Sequence, residues 1–215
     1  MVKLDILSDP ICPWCYIGKT NLDRALERHP EHPFEIEWHP FQLNPDMAAG
    51  GVDRREYLET KFGGQENAAR IYARVDQAAR AAGLEIDWAA IPRVPNTLDA
   101  HRLIHWAGLE GRQTPVVSAL FRAYWREGRD IGDRAVLLDI AEAAGLDRGV
   151  IGRLYESGAD AEDIRARDAW ARERGVTGVP TFVVANSHVV PGAQPPELWD
   201  QVIGEITAQL AADSA

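Results

Sequence analysis

Hydrophobic and polar residues alternate from Lys3 to Ser8, the two-residue period of a half-buried strand, and Ser8-Asp9-Pro10 closes it with turn-forming residues. Tyr16, Ile17, Leu22, Ala25 and Leu26 then recur at helical spacing. His29-Pro30 and His32-Pro33 stop that helix, because a residue ahead of proline is pushed out of the α region. Phe34, Ile36, Trp38 and Pro40-Phe41 read as a second strand, running into a loop around Asn44-Pro45. From about residue 53 to 158 the pattern is nearly all helical. Tyr57, Leu58 and Phe62 mark one segment; Ile71, Val75 and Ala78 to Ala82 mark the next, ended by Gly83. Asn96 or Thr97 caps a helix carrying Leu98, His101, Leu103, Ile104 and Trp106. Further helices are predicted over 114–127, 133–144 and 147–156, the last two parted by Gly145. A charged helix over 160–174 stops at Gly175. Gly178-Val179-Pro180-Thr181 leads into Phe182-Val183-Val184, Asn186-Ser187 reads as a hairpin turn into Val189-Val190, and Pro195-Pro196 opens a last helix.

That order predicts one small α/β domain split by a helical insertion. The α/β part takes residues 1–45 and 160–215, and the insertion takes 46–159. The chain has 215 residues, 46% hydrophobic, enough for a substantial core. Its charge, 23 − 33 = −10, argues against nucleic acid or an anionic membrane as partner. No apolar run approaches the ~18 residues of a membrane span. The first residues enter the strand pattern without the features of a signal peptide, so a cytoplasmic location is expected. In a reducing cytosol a cysteine pair is seldom a structural staple, which moves catalysis or metal binding forward.

The two cysteines, Cys12 and Cys15, stand two residues apart where the first strand hands over to the first helix. At a helix entrance the unpaired backbone N–H groups and the positive end of the dipole favour a thiolate. Cys12 is then the nucleophile and Cys15 the resolving thiol. Pro13 suits the first helical position because its missing N–H has no partner there. Cys12, Cys15, His29 and His32 also spell C-x2-C-x13-H-x2-H, near a zinc finger. The last spacing is one residue short, however, and a helix between the pairs would part them by roughly 20 Å. No metal is therefore expected. His101 and His105 share a helix face without an acidic or cysteine partner at matching spacing, so packed or surface histidines are the simpler reading. Asp9 is placed to cap the turn before Cys12, where its charge would disfavour a thiolate.

Ser8-Asp9-Pro10-Ile11-Cys12-Pro13-Trp14-Cys15, Pro40 to Pro45, Pro95-Asn96-Thr97, Ala100-His101-Arg102-Leu103, Gly178-Val179-Pro180-Thr181 and Gly192-Ala193-Gln194 together carry a resemblance. The chain resembles the DsbA-like thioredoxin-fold proteins, above all the FrnE-like group, along with the related 2-hydroxychromene-2-carboxylate isomerases and kappa-class glutathione transferases. The resemblance implies a thioredoxin fold with a large all-helical insertion. It implies a cis Val179–Pro180 bond facing the cysteines, with the Val179 backbone pairing with substrate. It also implies dithiol–disulfide exchange with protein or small thiol and disulfide substrates, with no tightly bound cofactor and glutathione as a candidate co-substrate. Trp14 is either an apolar wall for substrate or a packing residue. Asn44 and Asn96 are substrate-binding candidates that serve equally as turn or cap residues. Relatives that isomerise chromene carboxylates typically have serine at the position of Cys12. A glutathione-dependent isomerase or transferase acting on a small aromatic compound is the alternative. A redox-sensing or zinc-binding interaction protein is a non-enzymatic one. An apolar face on the insertion would support a homodimer, as in some relatives.

Overall fold

A computed structural model describes residues 1–213. Strand β1 (Val2–Ser8), helix α1 (Pro13–Arg28) and strand β2 (Phe34–Pro40) form a βαβ unit, whose parallel strands need the long crossover that α1 supplies. At the other end of the chain, β5 (Thr181–Val184), β6 (His188–Pro191) and α9 (Pro196–Asp213) complete a four-stranded mixed sheet of order β2-β1-β5-β6. Ile6 lies against Trp38 on one side and Phe182 on the other, so β1 forms the buried middle of the sheet.

Each face of the sheet has its own cover. Phe182 meets Trp199 of α9 at 4.7 Å between ring centroids, and α1 runs alongside α9, joined by the Asn21 amide donating to the Gln194 carbonyl at 2.9 Å. The opposite face packs Leu7 and Phe41 against Ala171 of α8 (Ala161–Glu173). The hairpin turn centres on Ala185 and Asn186, both at positive φ, one residue earlier than the Asn186-Ser187 expected from the sequence.

Between β2 and α8 the chain forms β3 (Val52–Asp53), α2 (Arg54–Phe62), α3 (Gln65–Ala81), β4 (Arg93–Val94), α4 (Leu98–Leu109), α5 (Gln113–Trp125), α6 (Arg134–Ala143) and α7 (Arg148–Ser157). The two-residue strands β3 and β4 pair antiparallel inside the region read as helical. They are too short to display a two-residue period, and Gly51 (φ +65°) makes their approach feasible, since a Cβ there would stand 2.5 Å from the Val94 carbonyl oxygen. Arg102 of α4 is fully buried yet paired throughout. It donates to the Ala159 and Leu154 carbonyls at 2.7 and 2.8 Å and to Asp99 at 2.6 Å, so its burial carries no orphaned charge.

The α4–α5 pair shields the edge of the sheet. The Gln113 side chain accepts from the Trp38 N–H at 2.8 Å and donates to its carbonyl at 3.0 Å, taking the place of a neighbouring strand. Phe121 of α5 stacks on Tyr16 of α1, the residue directly after the cysteine motif, at 5.1 Å and 7°. Both rings belong to one hydrophobic core that runs from the sheet into the insertion. Phe121→Ala is expected to cost about 3–5 kcal/mol in urea unfolding, as for other buried aromatic truncations.

Candidate active site

Cys12 is the N-cap residue of α1 and Pro13 opens the helix, with no acidic residue in the first turn. Both cysteines are free thiols 3.5 Å apart, wider than the ~2.05 Å of a disulfide and close enough to form one with a small side-chain adjustment. Cys12 donates to the Val179 carbonyl at 3.5 Å. The Val179–Pro180 peptide bond is cis. Pro180 is buried behind Val179 against α1, where a Cβ on Gly18 would approach its ring carbon to 3.0 Å; glycine there lets the helix and the loop meet.

Burial pushes the Cys15 thiol well above its ordinary pKa, and the neighbouring Cys12 sulfur adds to the rise. The Ser8 hydroxyl, buried and otherwise without a partner, and the Asp9 N–H lie beside the Cys15 sulfur and oppose it. Cys15 therefore remains protonated at neutral pH. Cys12 opens onto a cleft of about 270 Å³ between the cysteine loop and the insertion. Pro13, Trp14 and Val179 line its near side; Tyr57, Phe62, Ile71, Tyr72, Tyr124 and Trp125 line the far side. Trp14 is 39% exposed and forms part of the wall. Trp125 donates through its indole N–H to the Pro10 carbonyl at 2.9 Å, fixing the loop ahead of Cys12 to α5. Burial raises the phenols of Tyr72 and Tyr124, so both stay protonated, and the Tyr124 hydroxyl donates to the Arg93 carbonyl at 3.0 Å.

Arg54 and Lys61 also line the cleft, and no carboxylate does among the described residues. In a chain of net charge −10, that is a local reversal of sign. None of the three cleft residues Tyr57, Lys61 and Tyr72 stood out in the sequence as a site residue, and Tyr57 and Phe62 looked like an ordinary core stripe. The stripe faces cavities instead: α2 has no fully buried residue.

The two asparagines part company. Asn44 lines a neighbouring cavity of about 530 Å³ that shares Leu43, Tyr57 and Lys61 with the cleft. Its carbonyl oxygen accepts from the Tyr57 hydroxyl at 2.8 Å, and its amide nitrogen is buried without a partner. Asn96 does not line the Cys12 cleft. Its oxygen accepts from the Leu98 N–H at 2.9 Å, capping α4, and its nitrogen donates to the Met47 carbonyl at 2.6 Å. The finger-like histidines are likewise elsewhere: His29 pairs with Asp200 and His32 accepts from the Phe34 N–H, both beyond the far end of α1. His101 and His105 also separate, the first facing Asp9 and the second Arg167.

Residues 3–204 match the model of the DSBA-like thioredoxin domain. The chain belongs to the DsbA-like thioredoxin family. It is 31% identical to a probable DsbA oxidoreductase from Streptomyces coelicolor, with a TM-score of 0.83 over 95% of this chain and 89% of that one. Two more distant structures share the fold. One is a 2-hydroxychromene-2-carboxylate isomerase (18% identity, TM-score 0.73, covering 99% of this chain and 100% of that one). The other is the cytosolic disulfide reductase DsbM from Pseudomonas aeruginosa, solved with GSH (22% identity, TM-score 0.68, covering 97% and 99%). Among the described residues no helix is long and apolar enough to cross a membrane.

The difference between the thiols is directly measurable. Brief treatment of the reduced protein with iodoacetamide at neutral pH should label Cys12 and leave Cys15 unmodified, as read by peptide mass spectrometry. Equal labelling of both would contradict the protonated, buried state of Cys15.

Proposed function

We propose that the chain is a thiol–disulfide oxidoreductase working through Cys12 and Cys15. The observation that carries this reading is the helix N-cap cysteine, open to a cleft and 3.5 Å from a second, protonated cysteine. Attack by the Cys12 thiolate on a substrate disulfide forms a Cys12–substrate disulfide and expels one substrate thiolate, which takes up a proton. Cys15 then loses its proton and attacks the Cys12 sulfur. The second substrate thiol leaves, and the cysteines are joined. The reverse sequence oxidises a substrate dithiol. Val179, whose carbonyl already meets the Cys12 sulfur, would hold the substrate backbone, with Pro180 behind it and Pro13 and Trp14 as the apolar lip. Asn44 would serve from the adjoining cavity. No tightly bound cofactor enters these steps, and substrates are thiol- or disulfide-containing proteins or small molecules.

A second reading has one observation in its favour. An aromatic cleft with Arg54 and Lys61 and no lining carboxylate suits a small anionic ligand, glutathione included. On that reading the protein is a glutathione-dependent isomerase or transferase of a small aromatic compound, as the resemblance to chromene-carboxylate isomerases suggests, and the Cys12 sulfur takes little part.

Insulin reduction by dithiothreitol separates the two. Wild type should accelerate it and Cys12→Ser should reduce the rate to background. A folded wild type without effect would reject the oxidoreductase reading and make chromene-type substrates the next to assay with glutathione.

A further inference from the structure

Asp9 is a completely buried acid that the exchange steps leave unused. Its carboxylate accepts from the Leu43 N–H at 2.7 Å through Oδ2 and from the Ile11 N–H at 3.4 Å through Oδ1. The Nε2 atom of His101 faces Oδ1 at 3.7 Å, outside hydrogen-bond range. That nitrogen is buried with no other partner, on a side chain only 2% exposed. The Asp9 main chain meanwhile touches both cysteines: its carbonyl accepts from the Cys12 N–H at 2.9 Å, and its N–H lies beside the Cys15 sulfur. One residue thus brings an acid, a facing imidazole from the insertion, and both reacting residues into a single buried contact set.

We propose that Asp9, held by the Leu43 and Ile11 N–H groups and faced by His101, is a positioning residue whose buried charge sets the dithiol–disulfide balance of the Cys12–Cys15 pair. A negative charge on a buried residue whose main chain touches both cysteines disfavours the thiolate. Thiolate formation is what stabilises the dithiol state relative to the disulfide, so the charge makes the pair a stronger reductant than the same fold without it. The reach of that charge into the cleft is consistent with Tyr124: burial raises its phenol most, and Asp9 adds to the rise. Asp9 also ties the Leu43 wall of the cleft to the reactive loop, so the same carboxylate places a substrate-facing segment. The inference rests on the oxidoreductase reading.

Asp9→Asn tests it, because the amide oxygen retains the Leu43 N–H bond and the amide nitrogen can meet the His101 ring, so that only the charge and the long Ile11 N–H contact are lost. Oxidised glutathione takes two electrons and two protons from the dithiol, giving two molecules of glutathione and the Cys12–Cys15 disulfide. Equilibration in glutathione buffers, read by thiol trapping and mass, gives the equilibrium constant. Asp9→Asn should move it about tenfold toward the dithiol and speed alkylation of Cys12 by iodoacetamide. A folded variant with lower thermal stability but an unchanged constant and alkylation rate would overturn the proposal, leaving Asp9 merely structural. Should Asp9→Asn fail to fold, Asp9→Ser removes the same charge and should likewise shift the constant toward the dithiol; no shift would overturn the proposal equally. A wild type that never forms the Cys12–Cys15 disulfide in these buffers would instead refute the oxidoreductase reading itself.

Discussion

The structure turns on how the first turn of α1 is held. Cys12 gains chemical meaning only if its sulfur stays at a helix entrance, open on one side and backed by a second thiol. Strand β1 delivers the chain to that point from the buried middle of the sheet. The Asp9 carbonyl grips the Cys12 N–H, Trp125 grips the Pro10 carbonyl, and the Val179 carbonyl receives the Cys12 thiol. The first is local, and the other two reach in from segments far away in sequence. Each satisfies a polar group that burial would otherwise leave costly, so the fold's hydrogen-bond requirements and the site's geometry are met together.

The helical insertion turns an open surface into a cleft. In the four-stranded core alone, Cys12 would look out on solvent beside Trp14 and Val179. Helices α2, α3 and α5 place Tyr57, Phe62, Tyr72, Tyr124 and Trp125 opposite and add Arg54 and Lys61. A largely apolar enclosure strengthens the effect of the few charges inside it. The consequence is a cleft lined by two cations and, among the described residues, no carboxylate, on a protein of opposite net charge.

Much of this was legible in the residues. The alternation of residues 3–8, the proline stops after α1 and the hairpin near the C-terminus report one-sided burial and backbone restriction, which are local and therefore visible. The cysteine pair declared itself by falling where strand meets helix. What stayed hidden depends on side chains meeting from distant segments. Periodicity states that one face of α2 is apolar but not whether that face meets core or cavity, so Tyr57 and Phe62 looked like packing residues. Asn96, a site candidate, bonds the Leu98 N–H and the distant Met47 carbonyl, and the second contact leaves no mark in the local pattern. His101 looked like an ordinary packed or surface histidine because nothing local shows that Asp9 lies across from it. The β3–β4 pair was too short to leave a period at all.

The central claim is that Cys12 carries the covalent step and Cys15 resolves it. Trapping the intermediate tests this most directly. Cys15→Ala, incubated with a small disulfide such as oxidised glutathione and analysed by intact mass and peptide mapping, should accumulate a single mixed disulfide at Cys12 that wild type resolves and Cys12→Ser never forms. A Cys15→Ala protein that stays folded yet forms no adduct at Cys12 would contradict the account.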